Sequence, residues 1–127
     1  MSVMRLQHVS VPMPMGGSDQ ARRFYGGALG LDELTTPKSL DAEQIIWFKV
    51  GDDGQELHIF TEKGFGPNSP GQHVCLQVED LDVTRQRLAE ADVATQETIP
   101  IANRPRCFIL DPFGNRIELT QILGRYE

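Results

Sequence analysis

The stretch that decides the fold is CFILDPFGNRIEL, residues 107–119, because its layout occurs twice in the chain. Sixty residues earlier, WFKVGDDGQELHI (residues 47–59) also reads as an apolar run, a turn and a second, alternating run. The turns GDDG and DPFGN are rich in the Gly, Asp and Asn residues that reverse a chain between strands. A constant offset of 60 places His58 on Glu118. The pattern therefore predicts two copies of one β-hairpin.

A second repeat precedes each hairpin. The tripeptide QHV occurs at residues 7–9 and again at residues 72–74. Each copy is followed by a stretch with helical periodicity, DQARRFYGGALG in the first half and LDVTRQRLAEADV in the second. A weaker extended segment comes after each helix, LDELTTPK and then VATQETIP. Each half is therefore predicted to be a βαβββ module.

The two modules are expected to form one α+β domain covering residues 1–127. Module 1 is predicted over about residues 4–62 and module 2 over about residues 70–123. Between them lies TEKGFGPNSPG, whose glycines and prolines are typical of a linker. Because this linker is short, we expect the modules to be exchanged between two copies in a homodimer.

Composition narrows the class of partner. The formal net charge of −6 argues against a nucleic-acid partner, since phosphate binding normally requires a basic surface. No apolar run approaches the roughly 20 residues that span a bilayer, so no membrane partner is expected. Cys75 and Cys107 lie in apolar runs and are expected to stay reduced as small core residues. We predict a cytoplasmic protein that acts on small molecules.

All three histidines of the chain, His8, His58 and His73, fall at repeat-related strand positions, and Glu118 occupies the fourth such position. Three imidazoles and one carboxylate are a suitable ligand set for a divalent metal such as Fe, Zn, Ni, Mn or Co. The alternative is that each histidine is satisfied by a neighbouring residue and that the glutamate faces solvent. The symmetry of the repeat favours the metal site.

Other polar and aromatic residues near the hairpins have more ordinary interpretations. Arg104 and Arg106 are expected in a solvated loop, with substrate anion binding as the alternative. Arg116 is predicted to form a surface cross-strand pair. Trp47 and Phe48 point to opposite faces of one strand, and core packing is the expectation for both.

These segments resemble the vicinal oxygen chelate superfamily of glyoxalase, bleomycin-resistance and extradiol dioxygenase proteins. The resemblance rests on LQHVSVPM, RRFYGGALGLDEL, GQHVCLQVEDLD and RCFILDPFGNRIELTQ, which together cover essentially the whole chain. It implies that the paired modules form a cupped mixed sheet around a metal, often at a dimer interface. It also implies that His8, His73 and Glu118 stand at the three usual ligand positions, with His58 at a fourth, variable one.

The resemblance further implies a metal-dependent lyase, isomerase or dioxygenase acting on a small oxygenated molecule chelated to the metal. His58 and Glu118 are then the expected catalytic residues, with His58 either a fourth ligand or a general base. Glu56 lies two residues before His58 on the same strand face, where it either orients His58 or faces solvent. The alternative function is metal-independent binding of a drug or other small molecule, as in bleomycin-resistance proteins.

Overall fold

The structure is a computed structural model that describes residues 1–126. The chain divides into two compact units, the first covering Met1–Pro67 and the second beginning at Asn68. Each unit contains one mixed β-sheet and one helical segment, so the predicted α+β class is confirmed. Within residues 1–126, no helix is both long enough and apolar enough to cross a membrane.

The first unit has the complete βαβββ order. Its sheet has the strand order β1-β4-β3-β2, in which β1 and β4 are parallel and the other pairs antiparallel. The helix α1 begins as an ordinary α-helix and continues as a π-helix, with Phe24 and Tyr25 buried. Gly30, at φ 70°, supplies the left-handed turn that follows the helix. The elements are β1 (His8–Met13), α1 (Ser18–Ala21, then π-helical Arg22–Ala28), β2 (Asp32–Leu34), β3 (Ile45–Val50) and β4 (Gln55–Thr61).

The second unit repeats this plan with one strand reduced. Its sheet has the order β5-β7-β6, with β5 and β7 parallel and β6 and β7 antiparallel. The carboxylate of Asp80 caps helix α2 by accepting a hydrogen bond from the backbone N–H of Val83 (3.2 Å). The elements are β5 (Val74–Gln77), α2 (Leu81–Glu90), β6 (Arg106–Leu110) and β7 (Arg116–Thr120).

The strand predicted over VATQETIP shrinks to a single bridge in the structure. Gln96 exchanges two backbone hydrogen bonds with Phe108. In the described chain, the pairing along this segment does not extend beyond that bridge. Beyond the bridge, the carbonyl of Ile99 accepts hydrogen bonds from the guanidinium of Arg106 (2.8 and 3.2 Å). Pro105, which would lie opposite Ile99 in a longer ladder, has no backbone N–H to donate.

The turn of the second hairpin is one residue longer than that of the first. The predicted constant offset of 60 between the two hairpins is therefore wrong for their first strands. Residues 51–54 connect β3 to β4, whereas residues 111–115 connect β6 to β7. The residue opposite His58 is Trp47, and the residue opposite Glu118 is Phe108. The offset of 60 therefore holds for the last strands, and Trp47 corresponds to Phe108 rather than to Cys107.

Each sheet buries one face and leaves the other face for polar residues. In β4, Leu57 and Ile59 are buried in the core, and in β7 Ile117 and Leu119 play the same part. Because successive side chains of a strand point to opposite faces, His58 and Glu118 must lie on the other face of their sheets. The alternation thus places both predicted catalytic residues away from the hydrophobic cores.

Candidate metal centre

In the first unit, His58 lies at the centre of a stack of three rings. Its imidazole is 4.2 Å from that of His8 on β1 and 4.1 Å from the indole of Trp47 on β3, measured between ring centroids. The interplanar angles are 17° and 3°, so all three rings are close to parallel. His58 is only 5% exposed. The sheet order β1-β4-β3 creates this stack by placing His58 on the middle strand.

Hydrogen bonds orient both imidazoles of the first unit. Nε2 of His58 donates to a carboxylate oxygen of Glu56 (2.8 Å), which leaves Nδ1 with its lone pair. Nδ1 of His8 donates to the side-chain oxygen of Gln7 (2.7 Å), which leaves Nε2 with its lone pair. The amide nitrogen of Gln7 in turn donates to the carbonyl of Gly54 (3.3 Å), which holds its oxygen towards His8. Such outer partners are typical of histidines that ligate metals.

In the second unit, Glu118 is the centre of a polar cluster. One carboxylate oxygen accepts from Nε2 of His73 (3.1 Å), and the other lies 3.4 Å from Nη1 of Arg106. His73 also contacts the ring of Phe108 edge-on at 5.1 Å, which restricts its rotation. The side chain of Glu118 is 13% exposed. The carboxylate is thus held in place from two sides with its charge offset by one arginine.

The thiol of Cys75 completes the surroundings of Glu118. Cys75 is the residue opposite Glu118 in the β5–β7 ladder. Desolvation of the thiol, together with the charge and hydrogen bond of Glu118, raises the pKa of Cys75 to about 11. The thiol is therefore protonated at neutral pH and is a poor nucleophile. Cys107 is buried in the core as predicted, Cys75 is exposed instead, and both thiols are free.

The arginines near the second hairpin have separate roles. Arg106 is the first residue of β6 and contacts Glu118, so the expectation of a solvated loop is wrong for this residue. Arg104 binds the C-terminal segment through the carbonyl of Gly124 and the ring of Tyr126 (4.2 Å to its centroid). Arg106 is a site residue that the sequence interpretation left outside the site, because nothing local marks a diagonal contact between strands.

The structure therefore brings the predicted ligands together in pairs, His8 with His58 and His73 with Glu118. Among residues 1–126 it gathers no group of three or more His, Cys, Asp or Glu side chains suited to a metal. The chemistry of each pair nevertheless fits a metal. Two ligand atoms about 2.1 Å from one ion lie roughly 3 Å apart. Nε2 of His73 lies 3.1 Å from its carboxylate partner, and an ion bound there would replace the proton of that hydrogen bond. The imidazoles of His8 and His58 each keep one lone pair free for a ligand bond.

The equivalence of the two pairs is visible in the strand registers. His58 lies opposite Ser10, two residues after His8, and Glu118 lies opposite Cys75, two residues after His73. In each unit the histidine of QHV thus stands two residues before the residue that lies opposite His58 or Glu118 in the parallel ladder. The repeated QHV therefore has one structural meaning in both units, which is to place a histidine beside the polar residue of the last strand.

The buried indole N–H of Trp47 yields a stability prediction. This nitrogen has no hydrogen-bond partner among the described residues. Replacing Trp47 by Phe keeps a stacked ring and removes the unsatisfied donor, so we expect a change in unfolding free energy of less than about 1 kcal/mol. Replacing it by Ala removes the ring and should cost about 3 kcal/mol. Urea unfolding followed by circular dichroism measures both, and equal losses would mean that the stack contributes nothing.

The chain is similar to known proteins over almost its whole length. The model of the Glyoxalase/Bleomycin resistance protein/Dioxygenase superfamily matches residues 5–119. A glyoxalase family protein from Bacillus anthracis is similar in structure, with 32% identity, a TM-score of 0.89, and coverage of 96% of this chain and 98% of that one. A search of curated proteins gave no match.

Two further solved structures show how varied the similar proteins are. Lactoylglutathione lyase from Agrobacterium tumefaciens has 20% identity and a TM-score of 0.71, over 95% of this chain and 96% of that chain. TnmS3, an antibiotic binding protein from Streptomyces sp. CB03234, has 25% identity and a TM-score of 0.68, over 96% of this chain and 98% of that chain. Proteins similar to this one thus include both an enzyme and a binding protein.

Proposed function

Because the chain belongs to the glyoxalase, bleomycin resistance protein and dioxygenase superfamily, we propose that it is a metal-dependent enzyme. Its ligands are His8, His58, His73 and Glu118, and its substrate is a small molecule with two neighbouring oxygens. The observation that carries the proposal is the orientation of both pairs. Each unit places the histidine of its QHV tripeptide beside the polar residue of its last strand, His8 beside His58 and His73 beside Glu118, at positions related by the repeat.

A divalent ion, Fe, Zn, Ni, Mn or Co, would polarise two neighbouring substrate oxygens and stabilise negative charge that develops on them. The carboxylate of Glu118 supplies the negative ligand. Arg106 fixes its second oxygen at 3.4 Å and so selects the oxygen beside His73 for binding. The outcome is a lyase, an isomerase or a dioxygenase, according to the substrate.

In His58, only the ring nitrogen Nδ1 is available, either as a metal ligand or as a general base. Its Nε2 is committed to Glu56, so Nδ1 either binds the ion or accepts a proton from the substrate. Glu56 assists both roles, because its carboxylate holds the imidazole of His58 in one orientation. Glu56 is therefore a positioning residue, and the base role requires that Nδ1 stay unligated.

The test of this function uses catechol as a probe with two neighbouring oxygens. Protein loaded with each metal in turn, and protein stripped with a chelator, are titrated with catechol and followed by absorbance and by fluorescence of Trp47, the single tryptophan. We expect binding that requires metal and shifts the catechol absorption band. Equal binding to stripped protein, with no shift of the band, would contradict the proposal.

The same titration decides the second candidate function, metal-independent binding of a small molecule. The stack of His8, His58 and Trp47 favours it, since parallel rings on a sheet offer a surface for another planar molecule. TnmS3 is described as an antibiotic binding protein. If this chain acts in that way, planar ligands bind with unchanged affinity after chelation.

We also expect a homodimer in the cytoplasm, with small molecules rather than nucleic acid as partners. Light scattering at micromolar concentration should give twice the 14.2 kDa mass of one chain. A mass of one chain across this range would exclude the dimer. The two free thiols accord with a reducing compartment, and the net charge of −6 disfavours binding to phosphate backbones.

A further inference from the structure

Arg116 is a positioned cation on the same strand face as Glu118. It is two residues before Glu118 on β7, so both side chains point to one side of the sheet. Its guanidinium carbon lies 3.5 Å from the centroid of the Phe108 ring, and its Nη1 donates to the carbonyl of Pro70 (3.3 Å). Stacking and a hydrogen bond thus hold the group in a defined place. The predicted cross-strand pair is a cation–π contact with Phe108 on the neighbouring strand β6.

The charge of Arg116 has no carboxylate to offset it within the described part of the second unit. The carboxylate of Glu118 is paired with Arg106, and that of Glu97 with Arg85. Arg116 forms no ion pair with any residue between 68 and 126, although Glu118 is its neighbour on the strand face. One half-buried positive charge therefore remains beside the predicted metal ligand.

The corresponding position of the first unit is used differently. There Glu56 stands two residues before His58 and forms a hydrogen bond with it. Arg116 makes no such contact with Glu118, because the ring of Phe108 and the carbonyl of Pro70 hold its guanidinium. In the first unit this position orients a predicted ligand, whereas in the second it presents a free charge.

We propose that Arg116 binds a carboxylate of the substrate, so that the substrate class is a small organic acid with two neighbouring oxygens at its other end. This assignment rests on the proposed function, since it takes Glu118 as the point where those oxygens are held. Two residues along a strand place the Cα atoms of Arg116 and Glu118 roughly 7 Å apart, so one small substrate can reach both side chains. A planar guanidinium matches a carboxylate with two parallel hydrogen bonds.

The experiment compares catechol with 3,4-dihydroxybenzoate, which carries the same two hydroxyls and adds a carboxylate across the ring. Calorimetry on the metal-loaded protein should give an affinity about tenfold or more higher for the acid. In Arg116→Gln the two affinities should become equal within about twofold, and Arg116→Lys should keep part of the preference. Arg23→Gln, which removes an exposed arginine of the first unit, should keep all of it.

Two results would overturn the assignment: no preference for the acid in the unaltered protein, or an unchanged preference in Arg116→Gln. Metal affinity is measured separately and should be the same in Arg116→Gln as in the unaltered protein. If no metal binds, the proposed function fails, and the ratio of the two affinities on chelator-treated protein still tests Arg116. If metal binds, and catechol and 3,4-dihydroxybenzoate then bind with equal affinity, only the role of Arg116 fails. Circular dichroism confirms that each variant is folded.

Discussion

Replacing Glu118 by Gln is expected to weaken the binding of divalent metal by at least about 100-fold. An amide oxygen carries no charge and is a weaker ligand than a carboxylate, and the loss of an outer partner alone typically costs 10–100-fold. The change keeps the size of the side chain and its place between His73 and Arg106. Calorimetric titration with Zn, Ni and Co measures the loss directly.

A matched control for this variant is Glu97→Gln. Glu97 forms an ion pair with Arg85 through both carboxylate oxygens (2.6 and 3.3 Å) but lies outside the predicted ligand set. Its replacement removes the same charge from the same unit, so metal affinity should change by less than about threefold. An unchanged metal affinity in Glu118→Gln, or equal losses in both variants, would mean that Glu118 is not a ligand.

Replacing Asp111 by Ala is expected to lower the unfolding free energy by about 3 kcal/mol or more. Asp111 is 4% exposed, and its carboxylate accepts from the backbone N–H groups of Phe113 (2.9 Å) and Asn115 (2.8 Å). The side-chain nitrogen of Asn115, itself buried, donates to the second oxygen (2.9 Å). Alanine removes the acceptor of these three hydrogen bonds from the interior, and hydrogen bonds to a charged group contribute most. Urea unfolding followed by circular dichroism reports the change.

Asp52→Ala is the control, since Asp52 lies in the corresponding turn of the first hairpin. Its side chain is 95% exposed and forms a surface ion pair with Lys49 (3.0 Å). The expected change is within about 0.5 kcal/mol. Similar losses in both turns would show that the buried network around Asp111 does not stabilise the second hairpin.

The two βαβββ modules could be predicted from the sequence, because both copies of the repeat contain turn residues and alternating apolar residues. The QHV tripeptides and the two hairpins predict that His58 and Glu118 occupy equivalent positions on the last strands, and the parallel registers agree. Alternation also predicts that both residues leave the core. These features depend on local patterns, which a sequence displays directly.

The remaining details depend on contacts between strands. One additional residue in the second turn shifts β6 against β7, so the constant offset paired Trp47 with the wrong residue. Arg106 on β6 reaches Glu118 diagonally on the neighbouring strand β7, and Glu56 forms a hydrogen bond with His58, although the sequence also allowed Glu56 to face solvent. The predicted strand around Gln96 is reduced to a single bridge, and Arg106 donates to the carbonyl of Ile99 beyond it. Side-chain hydrogen bonding of this kind has no periodic signature.

The most direct test of the central claim is the metal stoichiometry of protein without a histidine tag, beside a variant with His8 and His73 both changed to Ala. Metal analysis after reconstitution and dialysis should give about one ion per chain for the unaltered protein. The variant, which removes one predicted ligand from each unit, should retain its circular dichroism spectrum and lose the ion. No bound metal in the unaltered protein, or equal metal in the folded variant, would contradict the account and leave the repeated histidines without a role as ligands.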